Sequence, residues 1–215
     1  MQQNKTYAVN GYFLLPFLAW CVLGGVLLYT YDQRSLFAFV NGHYNDRLDV
    51  YMVWISNMGE ALFMSVLVLL TFVLTPFRHR WFLLGAILCT ALPALVTQGI
   101  KFSIGAPRPM TVYAQETWVH HLDIWPLLHA NSFPSGHTTG AFSLYCFLSL
   151  SMPPRYRWLG LLFFLLALGT GYARMYLAAH FFADVYAGSI IGTGVALLVF
   201  QLVRYIQYRY LYKRQ

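Results

Sequence analysis

Charge is scarce in this 215-residue chain: Asp, Glu, Lys and Arg make up 10% of it, against about 25% in ordinary soluble proteins. Acidic residues are scarcest, seven in all, which leaves a net charge of +7. That poverty excludes a disordered chain, whose composition leans the other way. It also excludes a soluble domain, which could not cover so much apolar surface with so few charges. Cysteine is limited to Cys21, Cys89 and Cys146, each inside an apolar stretch. An odd number without a CxxC pair implies neither a disulfide framework nor a cysteine metal or redox site, and the three read as small buried side chains. Internal repeats and low-complexity tracts are also missing, so residues 1–215 read as one membrane domain. What the chain has instead is hydrophobicity: 59% of its residues, 18% aromatic, with a mean hydropathy of +0.54.

A membrane-spanning helix needs about 20 mainly apolar residues. Six stretches qualify, at about 12–31, 61–77, 81–103, 137–152, 158–173 and 185–203. Their cores carry no Asp, Glu, Lys or Arg except Lys101, and breaks at Thr75-Pro76, Gly105-Ala106-Pro107 and Pro153-Pro154 separate several of them. None shows the ten-residue alternation of a membrane β-barrel. The expected fold class is therefore all-α, a polytopic membrane protein with six transmembrane helices. The first stretch is too long for a signal-peptide core and lacks a small-x-small cleavage site, so it reads as an uncleaved helix.

Loop charges predict the orientation. With a cytoplasmic N-terminus and alternating helices, Lys5, Arg78, Arg80, Arg155, Arg157, Arg204, Arg209, Lys213 and Arg214 fall on the cytoplasmic side without a single acid. The other side receives Arg34, Arg47, Lys101, Arg108 and Arg174 together with all seven acids. The positive-inside rule then places both termini in the cytoplasm. The basic and aromatic run from Tyr205 to Gln215 reads as a membrane-flanking anchor rather than a nucleic-acid site. Between Ser35 and Gly59, the spacing of Leu48, Tyr51, Met52 and Ile55 predicts an amphipathic helix in the outer headgroup layer. The stretch from Gly105 to Phe133, with Trp118, Leu122, Trp125 and Leu127 among His120, His121, Asp123 and His129, is either a cover over a site or an inert interfacial loop. His43 and His79 read as solvated or interfacial.

Three polar clusters interrupt the outer helix ends. Lys101 and Arg108-Pro109 close the third span; Lys101 alone would pass for a snorkelling anchor. Pro134-Ser135-Gly136-His137 precedes the fourth span and would pass for a turn and helix cap. Arg174, His180 and Asp184 straddle the gap before the sixth, with His180 and Asp184 spaced i,i+4 so that a helix would put them on one face. The predicted topology places all three on one side of the membrane. Three fixed cations suit a tetrahedral oxyanion, and Ser135 with the N–H groups opening the fourth helix would add neutral donors. Two histidines supply a nucleophile and an acid, and a carboxylate can fix the tautomer of one.

In this order and on these helices, the pattern Lys-x6-Arg-Pro, Pro-Ser-Gly-His, Arg-x5-His-x3-Asp resembles the type-2 phosphatidic acid phosphatase (PAP2) family of integral membrane lipid phosphatases. The resemblance covers a core of about residues 61–203. It departs in one place: the family usually carries Ser before the Arg of the third motif, where this chain has Ala173, so one hydroxyl on the phosphate side is missing. The resemblance implies that His180 attacks phosphorus to form a phosphohistidine, with Asp184 holding its ring. It implies that His137 protonates the departing lipid oxygen and then activates water, while Lys101, Arg108, Arg174, Ser135 and the Gly136 amide hold the phosphate oxygens. No metal or other cofactor is implied, the cations filling the role of Mg²⁺ in other phosphoryl transfers. His120, His121 and His129 match no standard metal spacing with His137.

The expected activity is a phosphoric monoester or diphosphate hydrolase whose partners are membrane lipids and a lipid phosphate substrate. Undecaprenyl pyrophosphate leads, with phosphatidylglycerol phosphate, phosphatidic acid and lipid A phosphates as alternatives, since the motifs contact the phosphate common to all. Two other classes use similar residues: a vanadate-binding haloperoxidase with His180 on vanadium, and a lipid-phosphate transporter. Six spans argue against the first. The second predicts transport without phosphate release.

Overall fold

The computed structural model describes residues 9–74 and 80–212, and every regular element among them is helical. The expectations for Lys5, Thr75-Pro76, Arg78, His79, Lys213 and Arg214 lie outside the described residues. In chain order the helices are α1 Gly11–Thr30, α2 Gln33–Asn41, α3 Asp46–Asn57, α4 Ala61–Leu74, α5 Arg80–Ile104, α6 Pro109–Val112, α7 Gly136–Ser151, α8 Leu159–Tyr176 and α9 Phe182–Tyr212.

Four helical stretches are long and apolar enough to cross a membrane: Gly11–Thr30, Arg80–Val112, Leu159–Tyr176 and Phe182–Leu211. The pair formed by α3 and α4, bent by 64°, makes a fifth if it is counted as one span. Of the six stretches read from the sequence, the second corresponds to α4, described as far as Leu74, and the fourth to α7, whose 16 residues fall short of spanning length. The hydroxyl-rich composition of α7 has a structural cause. It is the axis of the bundle, buried continuously from Thr138 to Ser149 and packed against α5, α8 and α9, so its Thr and Ser side chains do not face lipid.

Between apolar helices in lipid, close packing drives association more than exclusion of water does. The contact of α7 with α9 shows how: a Cβ at Gly188 would sit 2.9 Å from the Ser135 carbonyl oxygen, and one at Gly192 would collide with the Thr139 carbonyl. Only glycine allows the two backbones this near. Farther along, Phe13 of α1 meets Phe142 of α7 and Phe164 of α8 edge-on, with centroids 6.4 and 5.7 Å apart. Cys89 and Cys146 are fully buried and all three cysteines are free thiols.

Side-chain contacts fix which ends of the helices lie together. Asn10 caps α1 and donates to the carbonyls of Ser149 and Arg157, at the end of α7 and just before α8. Arg80, opening α5, lies over the ring of Tyr210 near the end of α9, 4.2 Å from its centroid. The starts of α1, α5 and α8 and the ends of α7 and α9 therefore form one pole of the bundle.

The stretch read as one amphipathic helix is two helices with their own caps, Asp32 accepting from the Ser35 amide and Asn45 from that of Arg47. The face that α3 turns toward α8 lies one position on from the apolar repeat predicted to meet the headgroup layer. Leu48 and Tyr51 are 42% and 63% exposed, whereas Ser56 is buried and Asp49, Met52 and Val53 are partly so. This inner face makes polar contacts, Tyr176 Oη–H donating to Asp49 Oδ1 at 2.5 Å and Arg174 Nη1 to Ser56 Oγ at 2.9 Å. An apolar repeat cannot reveal such a face.

Candidate active site

At the opposite pole the three motifs meet on four helix ends: Lys101 in the last turn of α5, His137 in the first turn of α7, Arg174 in the last turn of α8 and Asp184 in the first turn of α9. Arg108 caps α6 and completes the group. Lys101 feels the charges of Arg108, Arg174 and Asp184, and His137 feels those of Arg174, His180, Lys101 and Arg108.

His180 is delivered by the way α8 ends. Ala178 N–H donates to the Met175 carbonyl and Ala179 N–H to the Arg174 carbonyl, a Schellman closure with Ala178 at φ 51°. Glycine usually takes that left-handed position; alanine there is strained by about 1–2 kcal/mol. The same Arg174 carbonyl accepts the His180 amide at 3.2 Å, so the backbone of a cation anchors the imidazole.

Arg108 is held by carbonyls. Its Nε donates to Ala130 at 2.8 Å, Nη1 to Ala179 at 2.9 Å and Nη2 to Asn131 at 3.3 Å, while its own amide donates to His129 at 3.0 Å. Nη1 also lies 3.3 Å from His180 Nε2. A guanidinium can only donate, so Nε2 is the unprotonated nitrogen and the ring proton sits on Nδ1, 3.3 Å from Asp184 Oδ2. Burial, and then the charges of Arg174, Arg108 and Lys101, hold the His180 pKa well below its ordinary value, so the ring is neutral. The contact with Asp184 is a hydrogen bond from a neutral imidazole rather than an ion pair.

Ser132 is a site residue that sequence reading missed. It is fully buried, and its hydroxyl donates to Asp184 Oδ2 at 2.5 Å while lying 3.5 Å from His180 Nδ1. The same carboxylate oxygen accepts the Phe181 amide at 2.9 Å. A serine three residues before a helix cap carries no sequence signal for this; only its place in the fold gives it a partner 52 residues away.

Ser135 is the N-cap of α7, and the Thr138 amide and hydroxyl both donate to its Oγ, at 3.4 and 2.8 Å. The cap reading is correct as far as it goes, and it leaves the hydroxyl proton available to another acceptor. Gly136 opens the helix toward Lys101, whose Nζ lies 4.0 Å from where a Cβ on Gly136 would stand. Arg174 is 3% exposed; beside its bond to Ser56 its guanidinium lies over the Trp125 ring, 5.2 Å from the centroid. Ser56 too went unnoticed in the sequence. Ala173 has no exposed surface.

The side chains of three further histidines have partners outside the three motifs. His120 Nε2 lies 3.0 Å from Asp49 Oδ1 and its ring stacks on Tyr44 at 3.9 Å; His129 Nδ1 lies 3.4 Å from Thr111 Oγ1; His43 is exposed, its Nδ1 2.7 Å from the Phe39 carbonyl oxygen. Among the described residues, no three His, Cys, Asp or Glu side chains gather as a metal-ligand set.

A sequence profile of the PAP2 superfamily matches residues 81–208. Over 189 residues the chain is 28% identical to the lipid A 4'-phosphatase of Porphyromonas gingivalis, covering 83% of this chain and 76% of that protein. It is 25% identical to the undecaprenyl-diphosphatase BcrC of Bacillus subtilis over 169 residues, 78% of this chain and 82% of BcrC. Among solved structures, Aquifex aeolicus LpxE superposes with a TM-score of 0.66 at 24% identity, covering 81% of this chain and 98% of LpxE. The transmembrane PAP2 type phosphatidylglycerolphosphate phosphatase of Bacillus subtilis superposes with a TM-score of 0.61 at 22% identity, covering 93% and 97%. Both share the fold. Since the profile spans more than half of the sequence and encloses every residue from Lys101 to Asp184 gathered at this pole, the chain belongs to the PAP2 superfamily.

Proposed function

We propose that this protein is a membrane lipid phosphatase that hydrolyses a lipid phosphate or pyrophosphate through a phosphohistidine intermediate. His180 Nε2 attacks the terminal phosphorus as its bond to the leaving oxygen breaks, the lipid alcohol oxygen in a monophosphate or the bridging oxygen of the departing lipid monophosphate in a pyrophosphate, and His137 gives that oxygen its proton. Asp184, accepting from Nδ1–H, keeps the attacking lone pair on Nε2 and stabilises the ring as it gains charge. Water then attacks the phosphohistidine, His137 takes the proton, the P–N bond breaks and inorganic phosphate leaves. Lys101, Arg108, Arg174, the Ser135 hydroxyl and the Gly136 amide hold the non-bridging oxygens, whose charge is the main thing a phosphoryl-transfer site must stabilise. The observation that carries this reading is the contact of His180 Nε2 with Arg108 Nη1 at 3.3 Å, which puts the unprotonated nitrogen beside a cation able to bind phosphate.

Undecaprenyl pyrophosphate is the favoured substrate. The chain resembles an undecaprenyl-diphosphatase, and the positive-inside bias supports an outer site with both termini cytoplasmic if α7, shielded by its neighbours, serves as a short sixth crossing beside the four long helices and the bent α3–α4 pair. The resemblance to a lipid A 4'-phosphatase makes lipid A phosphates the first comparison, followed by phosphatidylglycerol phosphate and phosphatidic acid. The test is release of inorganic phosphate from a panel of these lipids in detergent. His180→Ala and His137→Ala are each expected to abolish release while the protein stays folded, and excess chelator should leave the wild-type rate unchanged. Full activity in folded His180→Ala would overturn the mechanism, and turnover of lipid A phosphates alone would overturn the substrate.

A further inference from the structure

The Gly105–Phe133 stretch places one aromatic residue directly on the site. A turn in which the Trp125 amide donates to the Leu122 carbonyl, at 2.8 Å, packs both side chains against the buried cluster that includes Met175, Tyr176 and Leu177 at the end of α8. The Trp125 ring thereby covers the Arg174 guanidinium.

The nitrogen atoms at this contact lack acceptors. Among the described residues, the buried side-chain nitrogens without a hydrogen-bond partner are His121 Nε2, Trp125 Nε1 and Arg174 Nε. Two of the three belong to the same stacked pair. Buried N–H groups are almost always hydrogen-bonded, and leaving one unmet carries the full desolvation penalty of the group. Arg34 and Glu116 show that the loop can satisfy an indole: Trp118 Nε1 donates to Glu116 Oε2 at 2.8 Å, and Arg34 bonds the other oxygen. Trp125 has no such carboxylate, and its neighbour is a cation that cannot accept.

We infer that Trp125 is a further substrate-binding residue, its indole N–H donating to the same phosphate group that Arg174 holds. An anion that reaches both Trp125 Nε1 and Arg174 Nε at the edge of the stacked pair meets both needs, and the ring face shields the guanidinium from water. A loop outside the three motifs thus contributes a phosphate donor, and it does so for any lipid phosphate, since the contact is to the headgroup. The inference rests on the phosphatase reading above.

Two measurements test it. In detergent micelles, Trp125→Phe, which keeps a ring over Arg174 and loses only the N–H, should raise both KM for undecaprenyl pyrophosphate and the inhibition constant of inorganic phosphate by about tenfold. In wild-type protein labelled with 15N-tryptophan, the indole N–H resonance that Trp125→Phe removes should shift on addition of inorganic phosphate. That second measurement needs no turnover and no folded variant beyond the one used for assignment, for which Trp125→Tyr serves if Trp125→Phe does not fold. Constants within twofold of wild type in Trp125→Phe, or an indole resonance unmoved by saturating phosphate, would overturn the inference. Phosphate release by His180→Ala would overturn the mechanism instead, leaving the indole resonance to decide on Trp125.

Discussion

Asp184 Oδ2 receives the Ser132 hydroxyl and the Phe181 amide and lies 3.3 Å from His180 Nδ1, so one carboxylate oxygen organises the whole nucleophile. Hydrogen bonds to a buried charged group contribute roughly 1.5–3 kcal/mol each. Ser132→Ala removes one of them and frees the carboxylate to turn from the imidazole. We expect kcat to fall about tenfold or more with a much smaller change in KM, because the damage is to the attacking group rather than to the phosphate cradle; steady-state kinetics on the folded variant checks it. An equal kcat would mean that Phe181 and His180 suffice to hold the carboxylate. Protonation follows the same geometry. Since the His180 pKa lies below that of a free imidazole, the nucleophilic neutral ring persists on acidification through the range where an ordinary histidine becomes charged. His180 and Asp184 were readable from their i,i+4 spacing. Ser132 and Ser56 were not, because each has its partner more than 50 residues away and an ordinary local context.

At the scale of elements, the cover over the site hangs on Asn41. This fully buried residue at the end of α2 donates to the carbonyls of His120 and Tyr176 and accepts the His120 amide, joining α2, the loop and the end of α8. Asp49 of α3 adds a second tie, bonding both Tyr176 and His120. Asn41→Ala leaves three backbone groups without partners and should destabilise the fold by about 2–4 kcal/mol. It should also loosen residues 113–129 before the bundle: hydrogen exchange by mass spectrometry is expected to show faster exchange there than in α7 or α9. Uniform protection in the variant would show that the aromatic contacts of Phe37 with Tyr113, Trp118 and Phe181 hold the loop without help. The sequence suggested a cover or an inert loop for this stretch; polar ties fasten it to α2 and α3 and the Trp125 ring lies over Arg174, and these contacts leave no periodic trace.

For the whole molecule, the contacts of Asn10 and Tyr210 put both described chain ends at the pole opposite the motifs. Arg80, Arg155, Arg157, Arg204 and Arg209 belong to that pole or its flanking segments, so the positive-inside rule predicts a cytoplasmic location for it and an outer location for His180. In a cysteine-free background, a single cysteine at Ile124, which is 79% exposed, should react with an impermeant maleimide in intact cells. One at Trp158, 58% exposed, should react only after permeabilisation. The reverse pattern would place the site on the cytoplasmic side and redirect the substrate search to lipids of the inner leaflet.

The shortage of charge and the spacing of the three motifs were enough, by themselves, to indicate an all-helical membrane protein and to nominate eight candidate site residues, because lipid penalises charge and a helix fixes i,i+4 neighbours. Tertiary structure decided what those one-dimensional signals cannot carry. It made α7 a shielded axis, so that a short and partly polar sequence is tolerated there, and it turned α3 so that Asp49 and Ser56 face the bundle beside Met52 and Val53. It also brought Ser56, Ser132 and Trp125 to the cations and the histidine from segments outside the motifs. Contacts across 50 to 120 residues arise only when the chain is packed, and no local pattern encodes them.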